Sequence, residues 1–285
     1  MYGNAVFRRF SIGLIALWLG VFVLAPTLMV VVTSFLSRDD GQFVALPLSV
    51  DAYLRLLDPL YADVFVESFA MATVATLLCL LIGYPYAWIT ARARTPWRYI
   101  LLLLVIIPFW TNSLIRTYAV KLVLATNGGL NSALAALGYS GEPLQLLYTQ
   151  FAVVAGMVYV LLPFMILPLY AVIEKLDWRL LEAAADLGAG RTQRFLRIAL
   201  PLTLPGIIAG SLLVFLPALG LFYVSDVLGG ARELLVGNLI RNEFLVSRDW
   251  PFGAAASVSL VAMMILMLAG YAWSARRAGG GAVKS

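Results

Sequence analysis

The side chains able to do chemistry in this chain are few in kind and unevenly spread. Among its 285 residues are 15 carboxylates and 20 lysines or arginines, one cysteine, Cys79, and no histidine. The absence of histidine removes the most versatile acid–base group and a principal zinc ligand, so histidine-based catalysis and His or multi-Cys metal sites are excluded. A lone cysteine forms no internal disulfide. No Walker loop of the form GxxxxGK[ST] is present. Gly279–Ser285, GGGAVKS, comes nearest but carries Val283 at a required glycine. The apolar runs also lack the row of carboxylates and bases that a proton relay needs. What remains is a charged cluster, Glu182 to Pro201, EAAADLGAGRTQRFLRIALP. It lies between Phe151–Ile173 and Leu202–Val224, neither of which carries a charge.

The surroundings of that cluster decide what it is for. The chain is 62% hydrophobic and 12% charged, about half the charge of an ordinary soluble domain. Such a composition implies that the bilayer is the solvent. In hydrocarbon every backbone polar group needs an internal partner, which leaves helices or a closed barrel. The apolar runs are continuous over about 20 residues, as helices require, and do not alternate as barrel strands do. The expectation is an all-α integral membrane protein, one transmembrane domain over 1–285, with six transmembrane helices. The predicted spans are about 11–33, 64–90, 99–124, 151–173, 202–224 and 252–273. The run from Phe10 to Leu36 exceeds the core of a cleavable signal peptide and reads as an uncleaved first span.

Six spans fix a sidedness. The N-terminus, 91–98, 174–201 and the C-terminus fall on one side, which carries 13 of the 20 Lys/Arg and four of the 15 acids. The positive-inside rule makes that side cytoplasmic. The protein is therefore expected to be multi-pass, with both termini and the charged cluster in the cytoplasm. The Gly-rich end of the chain is expected to be disordered.

Within the cluster, Leu176, Leu180, Ala184 and Leu187 share one helical face, and Asp177, Arg179, Glu182 and Asp186 occupy the rest. Gly188 is placed to end that helix in the left-handed conformation. Arg191–Leu200 reads as a second helix, halted by Pro201. Physical chemistry alone leaves two readings: an amphipathic loop at the lipid headgroups, or a docking element for a soluble partner.

The pattern separates them. Glu182-Ala183-Ala184, then Gly188, then Ile198-Ala199-Leu200-Pro201 resembles the EAA loop of binding-protein-dependent ABC importer permeases, with every motif position matched at the family spacing. The resemblance implies the type I ABC importer permease fold, six helices and a bacterial inner-membrane location. It further implies that Glu182, Ala183, Ala184, Gly188 and Pro201 belong to an element coupling the permease to an ATPase. The implied partners are two ATP-binding subunits, a second homologous permease and a periplasmic binding protein. No cofactor is expected in this subunit, ATP and Mg being held by the ATPase, and no nucleic acid is involved. Further stretches, among them SFLSRDD (34–40), LIGYPYAW (81–88), IPFWTNSLIRTY (107–118), GLFYVSDVLGG (220–230) and RDWPFG (248–253), are similar to the B-type permeases of spermidine/putrescine importers. A polyamine is thereby the implied solute. Permeases for putrescine alone, sulfate or ferric iron are the alternatives within the family, and an ion-coupled secondary transporter is the alternative outside it.

A polycation crossing a membrane needs carboxylates and aromatic faces in place of water. Trp110 and Asn112 near the outer half of span three, with Tyr223 and Asp226 near the outer end of span five, meet that requirement and are the candidate path residues. The competing structural roles are a salt bridge of Asp226 with Arg232 or Arg116, and interfacial anchoring for Trp110 and Tyr223. Gly206 and Gly210 form a GxxxG pattern in span five, a seam with another span or with the partner permease.

Overall fold

The computed structural model describes residues 3–39, 43–230 and 234–279. The Arg232 partner and the Gly-rich end lie wholly or largely outside them. The described residues are almost all helical. In chain order they are α1 (Gly3–Leu19), joined by a π turn to α2 (Ala25–Thr33), a hairpin of β1 (Leu36–Ser37) and β2 (Ala45–Leu48), α3 (Asp51–Leu56), α4 (Pro59–Arg92), α5 (Thr95–Trp110), α6 (Ser113–Leu124), α7 (Gly129–Ala136), α8 (Gln150–Ile173), α9 (Arg179–Asp186), α10 (Arg191–Arg194), α11 (Leu200–Gly220), α12 (Phe222–Val224), α13 (Val236–Leu245) and α14 (Trp250–Gly279). Five helical stretches are long and apolar enough to cross a membrane, and the α5–α6 pair makes a sixth if counted as one.

The chain divides into two compact units, one of residues 1–63 with 239–285, the other of Val64–Asn238. In the first, α14 packs against α2 and α3. Its polar centre is Asp249, whose side chain is 2% exposed. Asp249 accepts from Arg55 at 2.7 Å, lies 3.5 Å from Arg38, and caps α14 by accepting from the Phe252 amide at 3.1 Å. Fully buried Phe252 carries the Arg55 guanidinium 4.2 Å above its ring and the Tyr61 ring at 4.7 Å. The Ser49 hydroxyl accepts from the Asp51 amide at 3.0 Å at the start of α3.

In the second unit, α8 and α11 form the main packed pair. A Cβ on Gly206 would stand 3.1 Å from Val172, and one on Gly210 2.7 Å from the Met165 sulfur. The GxxxG pattern is thus an internal seam between the fourth and fifth spans, where missing side chains let two backbones approach. On α4 the buried residues Ala72, Ala75, Cys79, Gly83 and Ala87 recur at helical spacing, a stripe of small residues suited to close packing for the same reason. Helix α8 runs without interruption through Pro163 and Pro168.

Two expectations need correction. The third span is not one straight helix over 99–124: α5 stops at Trp110 and the chain bends by 100° before α6. The amide-free Pro108 sits in the last turn, and the Thr111 hydroxyl takes the Pro108 carbonyl at 2.7 Å. Asn112 then restarts the helix, accepting from the Leu114 amide at 2.8 Å. Nor does Pro201 halt a separate helix. Arg191–Gly220 is one 30-residue helical stretch, and the fifth span ends at Gly220 rather than 224. The π turn Phe195–Ala199 ends two residues before Pro201. Such a widened turn shifts the hydrogen-bond ladder by one residue and accommodates a proline without a break.

Candidate coupling loop and translocation path

Helix α9 begins where Asp177 accepts from the Arg179 amide at 3.1 Å and ends at Gly188, whose φ is +83°. The end is doubly closed: Gly188 N–H donates to the Ala185 carbonyl and Ala189 N–H to that of Ala184, both at 2.9 Å. This 5→2 and 6→1 pair is a Schellman cap, and it demands a left-handed residue at position 188. Open space surrounds the point where a Cβ would stand, so backbone conformation alone asks for glycine. Beyond the turn, the Gly190 amide is met by the Gln193 side chain at 3.3 Å, and the chain enters α10.

The face expected to be apolar does not turn inward as a unit. Leu176 precedes α9 and is buried, whereas Leu180 is 48% and Leu187 89% exposed. Leu187 projects from the tip of the loop with nothing over it, as a contact surface for another molecule would. Glu182 in the first turn and Ala183 are exposed, Ala184 is half-buried, and Pro201 lies exposed at the start of α11.

Behind α9 lies a cavity of about 450 Å³ lined by Trp88, Arg92, Trp178, Glu182, Arg191, Arg194 and Phe195. Three guanidinium groups and one carboxylate thus share one recess. Glu182 forms no ion pair there among the described residues. Its wall is an aromatic seam. Trp88 meets Trp178 edge-on at 5.1 Å and stacks on Tyr84 at 6.1 Å, and Tyr84 meets Phe195 at 5.6 Å and 90°. Arg92 lies 5.1 Å over Trp178, within cation–π range. The Tyr84 hydroxyl lies 3.0 Å from that of Thr203, which donates to the Ala199 carbonyl inside the π turn. One chain of contacts therefore joins the end of α4, the root of α9 and the base of α11. Sequence reasoning missed Tyr84, Trp88, Trp178 and Phe195 as a group. The only local signal was the i, i+4 spacing of Tyr84 and Trp88; the other partners are about 90 residues away or more.

The candidate path residues fall into two pairs. Trp110 ends α5 and is 78% exposed, and Asn112 is committed through its side-chain oxygen to capping α6. Tyr223 and Asp226 follow the break after Gly220, Tyr223 in α12 and Asp226 in the π turn Ser225–Gly229. Asn238 donates both to Asp226 and to the Phe222 carbonyl, stitching that turn to the start of α13. Helix α6 packs on this segment, but Trp110 joins no aromatic pair among the described residues. Arg116 does not serve as the partner of Asp226: it is buried and directs its guanidinium to the Val160 carbonyl at 3.5 Å. On the α4 side, Glu67 accepts from Gln150 at 2.9 Å.

Relatives of known role place this architecture. The chain is 56% identical over 260 residues to the spermidine/putrescine transport system permease protein PotB of Escherichia coli, covering 91% of this chain and 94% of that one. It is 54% identical to the protein of the same name from Haemophilus influenzae, over 93% of each chain. Among solved structures, a bacterial alginate ABC transporter in complex with a pentasaccharide-bound periplasmic protein superposes with a TM-score of 0.77, at 16% identity and 97% coverage of both chains. At that identity the likeness speaks for the fold, a type I ABC importer permease. The family model for the binding-protein-dependent transport system inner membrane component matches residues 1–280, and the chain belongs to that family.

Proposed function

We propose that this chain is the membrane-spanning permease subunit of an ATP-driven importer of spermidine and putrescine. It performs no covalent chemistry; it forms the path together with a second, homologous permease and is driven by two ATP-binding subunits. The loop 174–201 is the coupling element. The observation that carries this is an exposed leucine tip, set by the Gly188 cap, beside an exposed carboxylate without an ion pair among the described residues and three arginines. Exposed apolar surface next to open charge suits a partner interface, and the motif spacing of the loop favours a protein over the headgroup surface as that partner.

The work divides as follows. ATP binding draws the two ATPase subunits together, and each carries the loop seated on it. The aromatic seam passes that displacement to α4 and to the base of α11 at once, turning the paired permeases from inward- to outward-facing. A periplasmic binding protein then delivers the polyamine, and hydrolysis restores the first state. Selection between the two states by ATP requires that it bind one of them more tightly. Tyr223 and Asp226 are the groups on this subunit suited to receive an ammonium ion. The N- and C-termini and loop 174–201 face the cytoplasm.

The test is reconstitution of both permeases, the ATPase and the binding protein in proteoliposomes. Uptake of spermidine is expected to need ATP and the binding protein, and Glu182→Lys is expected to abolish it while the permease still inserts. Uptake of sulfate in place of polyamine would overturn the solute. Normal uptake by the Glu182→Lys protein would overturn the role of the loop.

A further inference from the structure

Lys121 has an unusual setting. Its ammonium nitrogen lies 6.0 Å from the ring centre of Tyr118 and 5.7 Å from that of Tyr148, both within the range of cation–π attraction. Among the described residues it has no carboxylate partner within 4.0 Å. Tyr118 and Lys121 are three apart on α6 and so share a face. Tyr148 arrives from the loop before α8, and its placement is built. Its φ is +64°, a left-handed conformation that tyrosine rarely adopts, and its amide donates to the Leu228 carbonyl at 2.8 Å. On the other side Gly230, itself at φ +63°, leaves room for the ring: a Cβ there would stand 2.9 Å from Tyr148 Cδ1. A strained backbone and a required glycine thus hold one aromatic ring against one ammonium, and strain of this kind gathers at functional sites.

The chemistry of the occupant is telling. A lysine side chain is a primary ammonium on a four-carbon stem, the same group that ends putrescine and the aminobutyl arm of spermidine. We propose that Tyr118 and Tyr148 form an ammonium subsite of the transport path, and that Lys121 occupies it as a tethered stand-in which the polyamine displaces. The inference rests on the polyamine reading above. Both rings are about half exposed, at 53% and 46%, so an incoming amine has access. The segment that carries Leu228 and Gly230 also carries Asp226, which places the subsite beside the candidate carboxylate. Exchanging one ammonium for another leaves the charge held against the rings unchanged. The return of Lys121 after passage favours release, because a tethered competitor acts at high effective concentration.

The test is direct binding of radiolabelled spermidine to the assembled permease–ATPase complex in nanodiscs, without binding protein. Lys121→Met is expected to tighten binding about two- to tenfold, by vacating the rings. Tyr118→Leu, on a regular helix and safe for folding, is expected to weaken it by a similar factor, whereas Tyr118→Phe, which keeps the ring, binds as the unaltered protein does. In the Lys121→Met/Tyr118→Leu double variant the gain is expected to vanish. Unchanged or weaker binding in Lys121→Met, or a gain that persists without Tyr118, overturns the subsite. If the unaltered complex takes up neither polyamine with ATP and binding protein, the solute assignment falls and the subsite with it; uptake with an unresponsive Lys121→Met sinks the subsite alone.

Discussion

Two charged regions of this protein are built on opposite plans. Around Asp249 the valences are closed: a carboxylate that is almost wholly buried receives two arginines and a backbone amide. Around Glu182 they are open: an exposed carboxylate and three arginines line a cavity beside a leucine that is 89% exposed. The first region spends its charges on holding α14 to α3 and the hairpin. The second keeps its charges available. Charge density alone does not separate the two; what separates them is whether the partners lie within the chain.

That contrast can be broken most sharply at its centre. Asp249→Ala removes a helix cap and the carboxylate that Arg55 and Arg38 share. A buried pair broken on one side costs about 3–5 kcal/mol. Both arginines are about half exposed, so solvent lowers the expected loss to about 2–3 kcal/mol. Thermal unfolding of the assembled complex should report it as a marked fall in Tm. Glu182→Ala should leave stability within about 0.5 kcal/mol of the unaltered protein, yet lose substrate-stimulated ATPase activity. Equal effects on stability at the two sites would dissolve the distinction.

A smaller effect is expected at the loop's own scaffold. Gly188→Ala forces a Cβ into the left-handed region at a cost of about 1–2 kcal/mol. With open space around that Cβ, the cost is conformational. Limited proteolysis should then cut the loop 174–201 sooner, and ATPase coupling should weaken without being lost. Trp178→Ala loses the contacts to Trp88 and Arg92 and is expected to reduce coupling while sparing assembly with the ATPase. Failure to assemble would show that the seam builds the interface itself and does not merely transmit through it.

The smallest effect concerns protons. Burial, followed by the nearby charge of Asp249, holds the Glu243 carboxyl above its usual 4.5, and Ser247, Arg55 and Arg38 only partly offset this. Partial burial alone would lower the Arg55 pKa, but the hydrogen bonds to Asp249 and Tyr61 and their charges together outweigh it, and the guanidinium keeps its proton. A raised carboxyl pKa means that the folded form binds the proton more tightly. Stability in this region should therefore decline as pH rises from about 4.5 through the Glu243 pKa in the folded protein. Glu243→Gln should flatten that part of the pH–Tm curve; an unchanged slope would assign it elsewhere.

Much of the architecture was legible because the bilayer imposes a simple length rule on apolar runs. The turn at Gly188 was legible too, since few residues other than glycine stop a short helix in that way. The bend after Trp110 was hidden because Pro108 and Asn112 each have an innocuous reading, and only their joint effect on the hydrogen-bond ladder parts the helix. The continuity through Pro201 was missed for the converse reason: a π turn rescues a residue that ordinarily marks an end. The Asp249 node was hidden because its arginine partners are about two hundred residues earlier in the chain. Tyr84, Trp88, Trp178 and Phe195 were obscured in the same way, each looking like one more apolar residue in an apolar chain.

The unbroken stretch Arg191–Gly220 is also a lever. Thirty helical residues span about 45 Å at 1.5 Å per residue. A tilt of about 5° at the base, set by the seam around Phe195, would swing the far end by about 4 Å, roughly the width of a methylene chain. That far end is Gly220, where the helix breaks and the turn holding Tyr223 and Asp226 begins. A modest rocking motion at the proposed coupling loop would thus be magnified, without any large local rearrangement, at the residues proposed to receive an amine.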